Sequence, residues 1–259
     1  MLLLKGKKGL VMGVANERSI AWGIANEAFL HGADICLTYQ NKIFKERILK
    51  LANSINCTLT LECDVENKVD INKLFSNLKK KWGKIDFIVH ALAFSDKNEL
   101  KGSYFETSKN NFRKTLLVSS FSLTEVCKEA MGLMSKDGGS ILTLTYIGGE
   151  RTTPNYNVMG VAKAALESSV RYLSVDLGKN NIRVNSLSSG PMKTLAGSAI
   201  TGARHIFKHS EKSSPMAKNP SLKEVSTSAV YLLSNLSSGV TGENHFVDGG
   251  YNIVGIPKE

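Results

Sequence analysis

Gly9-Leu10-Val11-Met12-Gly13-Val14-Ala15 leads through Asn16-Glu17-Arg18 into Ser19-Ile20-Ala21-Trp22-Gly23, and after Gly32 comes Asp34-Ile35-Cys36-Leu37-Thr38-Tyr39. Residues 9–15 are short and apolar enough to form a buried strand, and 34–39 repeat the pattern. Between them, residues 19–30 read as a helix that Gly32 stops. Strand, helix and strand in so short a span make two parallel strands with the helix crossing over them. Working outward, strands are predicted at 58–65, 85–91, 140–146, 182–187 and 244–248. Residues 162–177 carry Leu166, Val170, Leu173 and Leu177 on one helical face before Gly178. Ser221-Leu222-Lys223-Glu224 has the capping-box pattern and opens a late helix reaching about Ser234. The expected fold is therefore α/β: a Rossmann-like, doubly wound, seven-stranded parallel sheet with helices on both faces, with residues 1–259 as a single domain. Residues 190–220 lack clear periodicity, and a loop of that length in a compact domain is usually a lid or a binding loop.

Composition narrows the function classes. With 259 residues, 42% hydrophobic and 22% charged, and 22 Gly against 5 Pro, disordered and collagen-like chains are excluded. Met1 to Leu4 is apolar but is followed by Lys5, Lys7 and Lys8, the reverse of a secretory signal. No apolar run approaches the roughly 18 residues needed to span a bilayer, so a soluble, cytoplasmic protein without membrane insertion is expected. Cys36, Cys57, Cys63 and Cys127 form no Cys-x-x-Cys pair and read as reduced, mostly buried residues. The net charge of +10 admits nucleic acid, a membrane surface or an acidic protein as partner. Charge alone does not choose among them.

Four features fall at the C-terminal ends of predicted strands, where open α/β sheets bind ligands. After the first strand, Gly13 allows close backbone approach, and the free N–H groups around Ser19 and Ile20 can receive a pyrophosphate. This loop lacks the three-glycine dinucleotide fingerprint, and alone it is balanced by an ordinary strand-to-helix turn with a serine cap. The second strand ends at Gln40, where an acidic residue normally grips the adenosine ribose; a neutral amide can still bond hydroxyls. Asp64-Val65 suits an adenine edge, and Ala91-Leu92-Ala93 is small enough for a cofactor to lie on the backbone. Together they point to a dinucleotide.

Thr153-Pro154 reads as a cap and first-turn proline, which predicts Tyr156 in the first turn of the helix carrying Lys163. Seven residues are almost two turns, so both side chains share a face. A phenol there can serve a developing oxyanion, with the ammonium lowering its pKa and reaching cofactor hydroxyls. The plainer alternative is a half-buried Tyr and a surface Lys. Tyr146 adds a second phenol at the end of the fifth strand. His205 and His209 have the spacing of a metal pair, but no third ligand is placed, so solvated lid residues and no metal are expected.

Over essentially the whole chain these residues resemble the NADH-dependent enoyl-acyl-carrier-protein reductases of bacterial fatty acid synthesis, a divergent branch of the short-chain dehydrogenase/reductase superfamily. The resemblance rests on Gly13-Val14-Ala15-Asn16 with Ser19-Ile20-Ala21-Trp22-Gly23, Thr38-Tyr39-Gln40-Asn41, Cys63-Asp64-Val65, and Pro154-Asn155-Tyr156-Asn157-Val158-Met159-Gly160 with Ala162-Lys163-Ala164. It continues in Arg183-Val184-Asn185, Ser189-Gly190-Pro191, Thr194-Leu195-Ala196, Thr241-Gly242-Glu243 and Val247-Asp248-Gly249-Gly250. The paired Tyr146 and Tyr156 separate this branch from ordinary carbonyl reductases, which use a serine about a dozen residues before the tyrosine; Thr143 is the nearest hydroxyl here.

The resemblance implies that Gly13, Ser19, Ile20, Gln40, Asp64, Val65, Leu92, Lys163, Met192, Lys193, Thr194, Leu195 and Ala196 hold NADH/NAD+. It implies that Tyr146 and Tyr156 serve the substrate and that Ser95, where the family commonly has Ala, contacts the acyl thioester. A substrate lid is implied around 191–220, with Arg204, Lys208, Lys212 and Lys218 beside the entrance to receive an acidic acyl carrier protein. A homotetramer is implied too, whereas nucleic acid explains the charge but none of the motifs. The implied reaction is reduction of the trans-2 double bond of enoyl thioesters by hydride from NADH. Gln40 favours NADH over NADPH, although Lys42 and Lys45 lie close by. The alternatives are a 3-oxoacyl or other carbonyl reductase and a catalytically idle NAD-binding scaffold.

Overall fold

The computed structural model describes residues 2–134, 137–198 and 200–256. Seven parallel strands form one sheet: β1 Lys8–Met12, β2 Asp34–Tyr39, β3 Leu59–Glu62, β4 Phe87–His90, β5 Gly139–Thr145, β6 Ile182–Ser189 and β7 Asn244–Val247, in the order β3-β2-β1-β4-β5-β6-β7. The order reverses between β1 and β4, which opens a crevice at the C-terminal ends of those two strands.

Alternation along each strand distributes the core to two faces. Val11, Ile35, Leu37, Val89 and Leu142 point to one side, where they pack with α1 (Ile20–Leu30), α2 (Lys42–Ser54) and α9 (Leu222–Leu233). Leu10, Met12, Cys36, Ile88, Ile141 and Val184 point to the other, against α3 (Lys68–Trp82), α5 (Ser122–Ala130) and α6 (Asn157–Gly178). All four cysteines are buried and free. The capping box at Ser221 is formed in both directions: Glu224 N–H donates to Ser221 Oγ at 3.2 Å and Ser221 N–H to the Glu224 carboxylate at 2.8 Å. Among the described residues no helix is long and apolar enough to cross a membrane.

Two expectations are corrected. The first strand ends at Met12 rather than at Ala15, because Gly13 turns the chain through φ +99°. The stretch expected to lack regular structure holds two helices, α7 (Leu195–Ser198) and α8 (Ala203–Ser213). Ala199, within the expected lid, lies outside the described residues.

Candidate active site

A cavity of about 520 Å³ lies over the crevice and takes in nearly every cofactor and substrate residue expected from the sequence. Gly13, Ser19, Ile20, Gln40, Asp64, Val65, Leu92, Ser95, Tyr146, Tyr156, Lys163, Met192, Thr194, Leu195 and Ala196 all line it. Lys193 does not; its ammonium lies 5.8 Å from the centre of the Phe207 ring instead. A Cβ at position 13 would stand 2.1 Å from the Ala91 carbonyl oxygen, so only glycine lets β1 pass β4 this closely. The Ser19 hydroxyl folds back to accept from Ala15 N–H and Asn16 N–H, both at 3.0 Å, and caps no N–H of α1. That helix start is left free to receive an anion. At the far rim Gln40 Nε2 donates to the Asp64 carboxylate at 3.2 Å, leaving the amide oxygen to accept from a hydroxyl. A close-packed glycine, an uncapped helix start and an oriented amide together fit a dinucleotide.

The second half of the cavity holds the two phenols. Tyr146 and Tyr156 meet edge to face with ring centres 5.1 Å apart. Gly148 makes room, since a Cβ there would come within 2.4 Å of the Tyr156 ring. Tyr156 is 8% exposed and Lys163 is 5% exposed, which discards the half-buried Tyr with a surface Lys. Lys163 Nζ donates to the Leu144 carbonyl at 2.7 Å; burial pulls its pKa down to about 8, against the pull of Glu167. Burial pushes the Tyr156 phenol well above its usual range, and Tyr146 and Glu167 push the same way. The expected lowering of this phenol by Lys163 is therefore overturned: desolvation dominates. Tyr146 is raised to about 12 by burial and by Tyr251, while a hydrogen bond with Thr153 opposes.

Local backbone explains a further correction. Tyr156 precedes α6 rather than lying in its first turn, because Asn155 and Asn157 both adopt positive φ, 59° and 38°. Asparagine tolerates that region better than most residues. Its side chains also anchor the turn: Asn155 Nδ2 donates to the Thr201 carbonyl at 2.8 Å and Asn157 Nδ2 to the Gly102 carbonyl at 3.1 Å. Neither role is anticipated from the sequence. Nor is that of Glu167, whose carboxylate accepts from the Thr145 hydroxyl at 2.5 Å and whose pKa burial raises. The signal was available, since Glu167 lies four residues, about one helical turn, past Lys163.

Thr143 does not face the cavity. It is buried, donates to the His90 carbonyl at 2.9 Å and meets His90 Nδ1 at 3.2 Å. His90 itself is fully buried, and desolvation, then the Lys163 charge, lower its pKa to about 3, so it is neutral.

Helix α8 forms part of the cavity wall. Ala203, Ile206 and Phe207, at helical spacing, face the cavity, whereas Arg204, Lys208 and Lys212 are exposed. Lys218, expected to join that basic set, is paired with Glu224. His205 and His209 stack with centres 6.3 Å apart, and His209 meets the Tyr251 ring edge-on at 6.0 Å. Among the described residues no group of three or more metal-binding side chains is present.

Comparison with known proteins gives consistent results. A family model described as Enoyl-(Acyl carrier protein) reductase matches residues 13–252. An enoyl-[acyl-carrier-protein] reductase [NADH] of Rhizobium meliloti is 52% identical over 255 residues, 98% of this chain and 95% of that protein. A counterpart of the same description from Rickettsia felis is 53% identical over 99% of this chain and 98% of its own length. The crystal structure of the Anaplasma phagocytophilum reductase in complex with NAD gives a TM-score of 0.96 at 49% identity, covering 99% of this chain and 98% of that one. The Bacillus cereus enzyme, solved with NADP+ and an indole naphthyridinone, gives 0.96 at 44% identity over 99% of this chain and 100% of that one.

Proposed function

The chain belongs to the NADH-dependent enoyl-acyl-carrier-protein reductases, and from that membership we propose how its own residues carry the reaction. The enzyme reduces the trans-2 double bond of enoyl thioesters in fatty acid synthesis. Bound NADH supplies the hydride that reaches C3 of the enoyl chain. Gly13, Ser19 and Ile20 receive its pyrophosphate, Gln40 and Asp64 its adenosine, and Lys163 its nicotinamide ribose. Val65, Leu92, Met192, Thr194, Leu195 and Ala196 complete that half of the cavity, and Lys193 turns to the Phe207 ring instead.

The observation that carries the assignment is the Tyr146 and Tyr156 pair, 5.1 Å apart beside a buried lysine. A neutral, desolvated phenol is a hydrogen-bond donor, and Tyr156 donates to the thioester oxygen as it becomes an enolate oxyanion, which collapses as C2 takes up a proton. Tyr146 holds the Tyr156 ring and lines the substrate side, and Ser95 lies against the thioester. The reading of a carbonyl reductase is disfavoured because the Thr143 hydroxyl is committed to His90.

We further assign the exposed Arg204, Lys208 and Lys212 face of α8 to an acidic acyl carrier, with residues 191–220 as the lid of a single 1–259 unit. Assembly as a homotetramer is inferred from family membership, and light scattering tests it. In this reading the enzyme works in the cytoplasm. The deciding assay measures loss of NADH absorbance with a crotonyl thioester and with an acetoacetyl thioester. Faster oxidation with the acetoacetyl substrate overturns the assignment.

A further inference from the structure

The run from α4 (Lys109–Leu116) to α5 is not one regular helix, because Leu117–Phe121 form a π-helical turn. Such a turn takes in one extra residue and so rotates the faces of α5 by about 100° relative to those of α4. The consequence is local and polar. Val118 lines the cavity, while the fully buried Ser119 faces the segment after β4. Its hydroxyl accepts from Phe94 N–H at 3.0 Å and donates to the Phe94 carbonyl at 3.2 Å. Two turns earlier, the buried Asn111 accepts from Asp96 N–H at 2.9 Å and donates to Ser95 Oγ at 3.2 Å. Thr115 steadies it by donating to the same amide oxygen at 3.2 Å. At the other end of the turn, Ser122 Oγ lies 2.8 Å from His90 Nε2, which ties the turn to the end of β4.

Residues 93–96 belong to no strand or helix, yet Ala93, Phe94 and Ser95 form the cavity wall beside the phenols. A backbone outside any ladder has no regular partners for its N–H and C=O groups, and here two side chains supply them. We propose that Ser119 and Asn111 are positioning residues for the enoyl substrate, holding the Phe94 to Asp96 backbone as the wall against which the acyl thioester lies. This rests on the assignment of the cavity to enoyl reduction. Neither residue touches a reacting atom; both act through the wall. Their removal should therefore displace the thioester relative to Tyr156 while leaving the NADH contacts at Gly13, Ser19 and Gln40 in place.

The test compares wild type with Ser119→Ala and Asn111→Ala as full-length proteins. The readouts are NADH Kd without substrate and kcat and KM for crotonyl and longer trans-2-enoyl thioesters. A misplacement of about 1 Å costs up to about 100-fold in rate, so kcat/KM for the enoyl substrate should fall about tenfold or more. The NADH Kd should stay within about twofold, and the ratio of long-chain to crotonyl kcat/KM should change. Unchanged enoyl kinetics in both variants overturn the proposal and leave the catalytic assignment standing. Loss of NADH binding in both also overturns it, because the two residues then hold the fold rather than the wall. A wild-type protein that binds NADH but does not reduce crotonyl thioester overturns the underlying assignment, and this proposal with it.

Discussion

Tyr156 and Lys163 are a spacing in the sequence and an electrostatic environment in the structure. Tyr-x6-Lys puts both on one helical side, but the direction of each pKa shift comes from burial among residues far along the chain. Because Tyr156 stays protonated, Tyr156→Phe should lower kcat by about 100-fold or more, the cost of one preorganised donor, with NADH Kd unchanged. Stopped-flow turnover and fluorescence titration of NADH check it. Lys163 supplies a pH dependence. It loses its proton near pH 8 in the folded protein against an ordinary value of 10.5. Below about 8 both folded and unfolded chains hold the proton, and the cost of burying the charge is fully present. From about 8 to 10.5 only the unfolded chain holds it, so this group's contribution to stability rises with pH. If Lys163 holds the nicotinamide ribose as proposed, NADH binding should weaken as pH rises through about 8, where the ammonium is lost. Denaturation and NADH titration across pH, in wild type and Lys163→Met, read both effects; a wild type that parallels the variant removes the assignment.

Elements carry their own expectations. The turn after β1 depends on Gly13, whose φ of +99° and approach to the Ala91 carbonyl leave no room for a side chain. Gly13→Ala should destabilise by about 1–3 kcal/mol from backbone strain alone and abolish tight NADH binding. Calorimetry and NADH titration measure the two losses. The capping box of α9 is a cleaner case, since both reciprocal bonds are made. Ser221→Ala should cost about 1 kcal/mol with kcat/KM for the enoyl thioester unaffected. That box is legible in the sequence because its signal is four consecutive residues. Helix α8 is not: it follows Gly202 with no side-chain cap, and its apolar positions face a cavity rather than a continuous core. The start of α6 departs from the sequence expectation for a related reason. Thr153 bonds Tyr146 instead of capping, and the left-handed Asn155 delays the helix to Asn157.

At the scale of the whole molecule the surplus of +10 charges sits partly on one exposed face of α8, Arg204, Lys208 and Lys212, on the helix whose Ala203, Ile206 and Phe207 line the cavity. Such a field steers an acidic partner and is screened over about 8 Å at physiological salt. Raising salt should therefore raise KM for a carrier-linked enoyl chain far more than for the same chain on a small thiol. Lys208→Glu with Lys212→Glu should do the same at low salt, leaving KM for NADH nearly unchanged. Equal salt responses of the two substrates remove the docking face. The alternation of strands and helices, the capping box at Ser221, and the Tyr156 and Lys163 spacing were determined by the sequence itself, because each depends on periodicity or on a few adjacent residues. The strand order, the upward shift of the Tyr156 phenol, the commitment of Thr143 to His90 and of Lys218 to Glu224, and the pinning of Phe94 by Ser119 were decided only in the tertiary structure. Burial and hydrogen-bond partnership belong to neighbours brought together by folding, and no local pattern in the chain specifies which distant residue those neighbours will be.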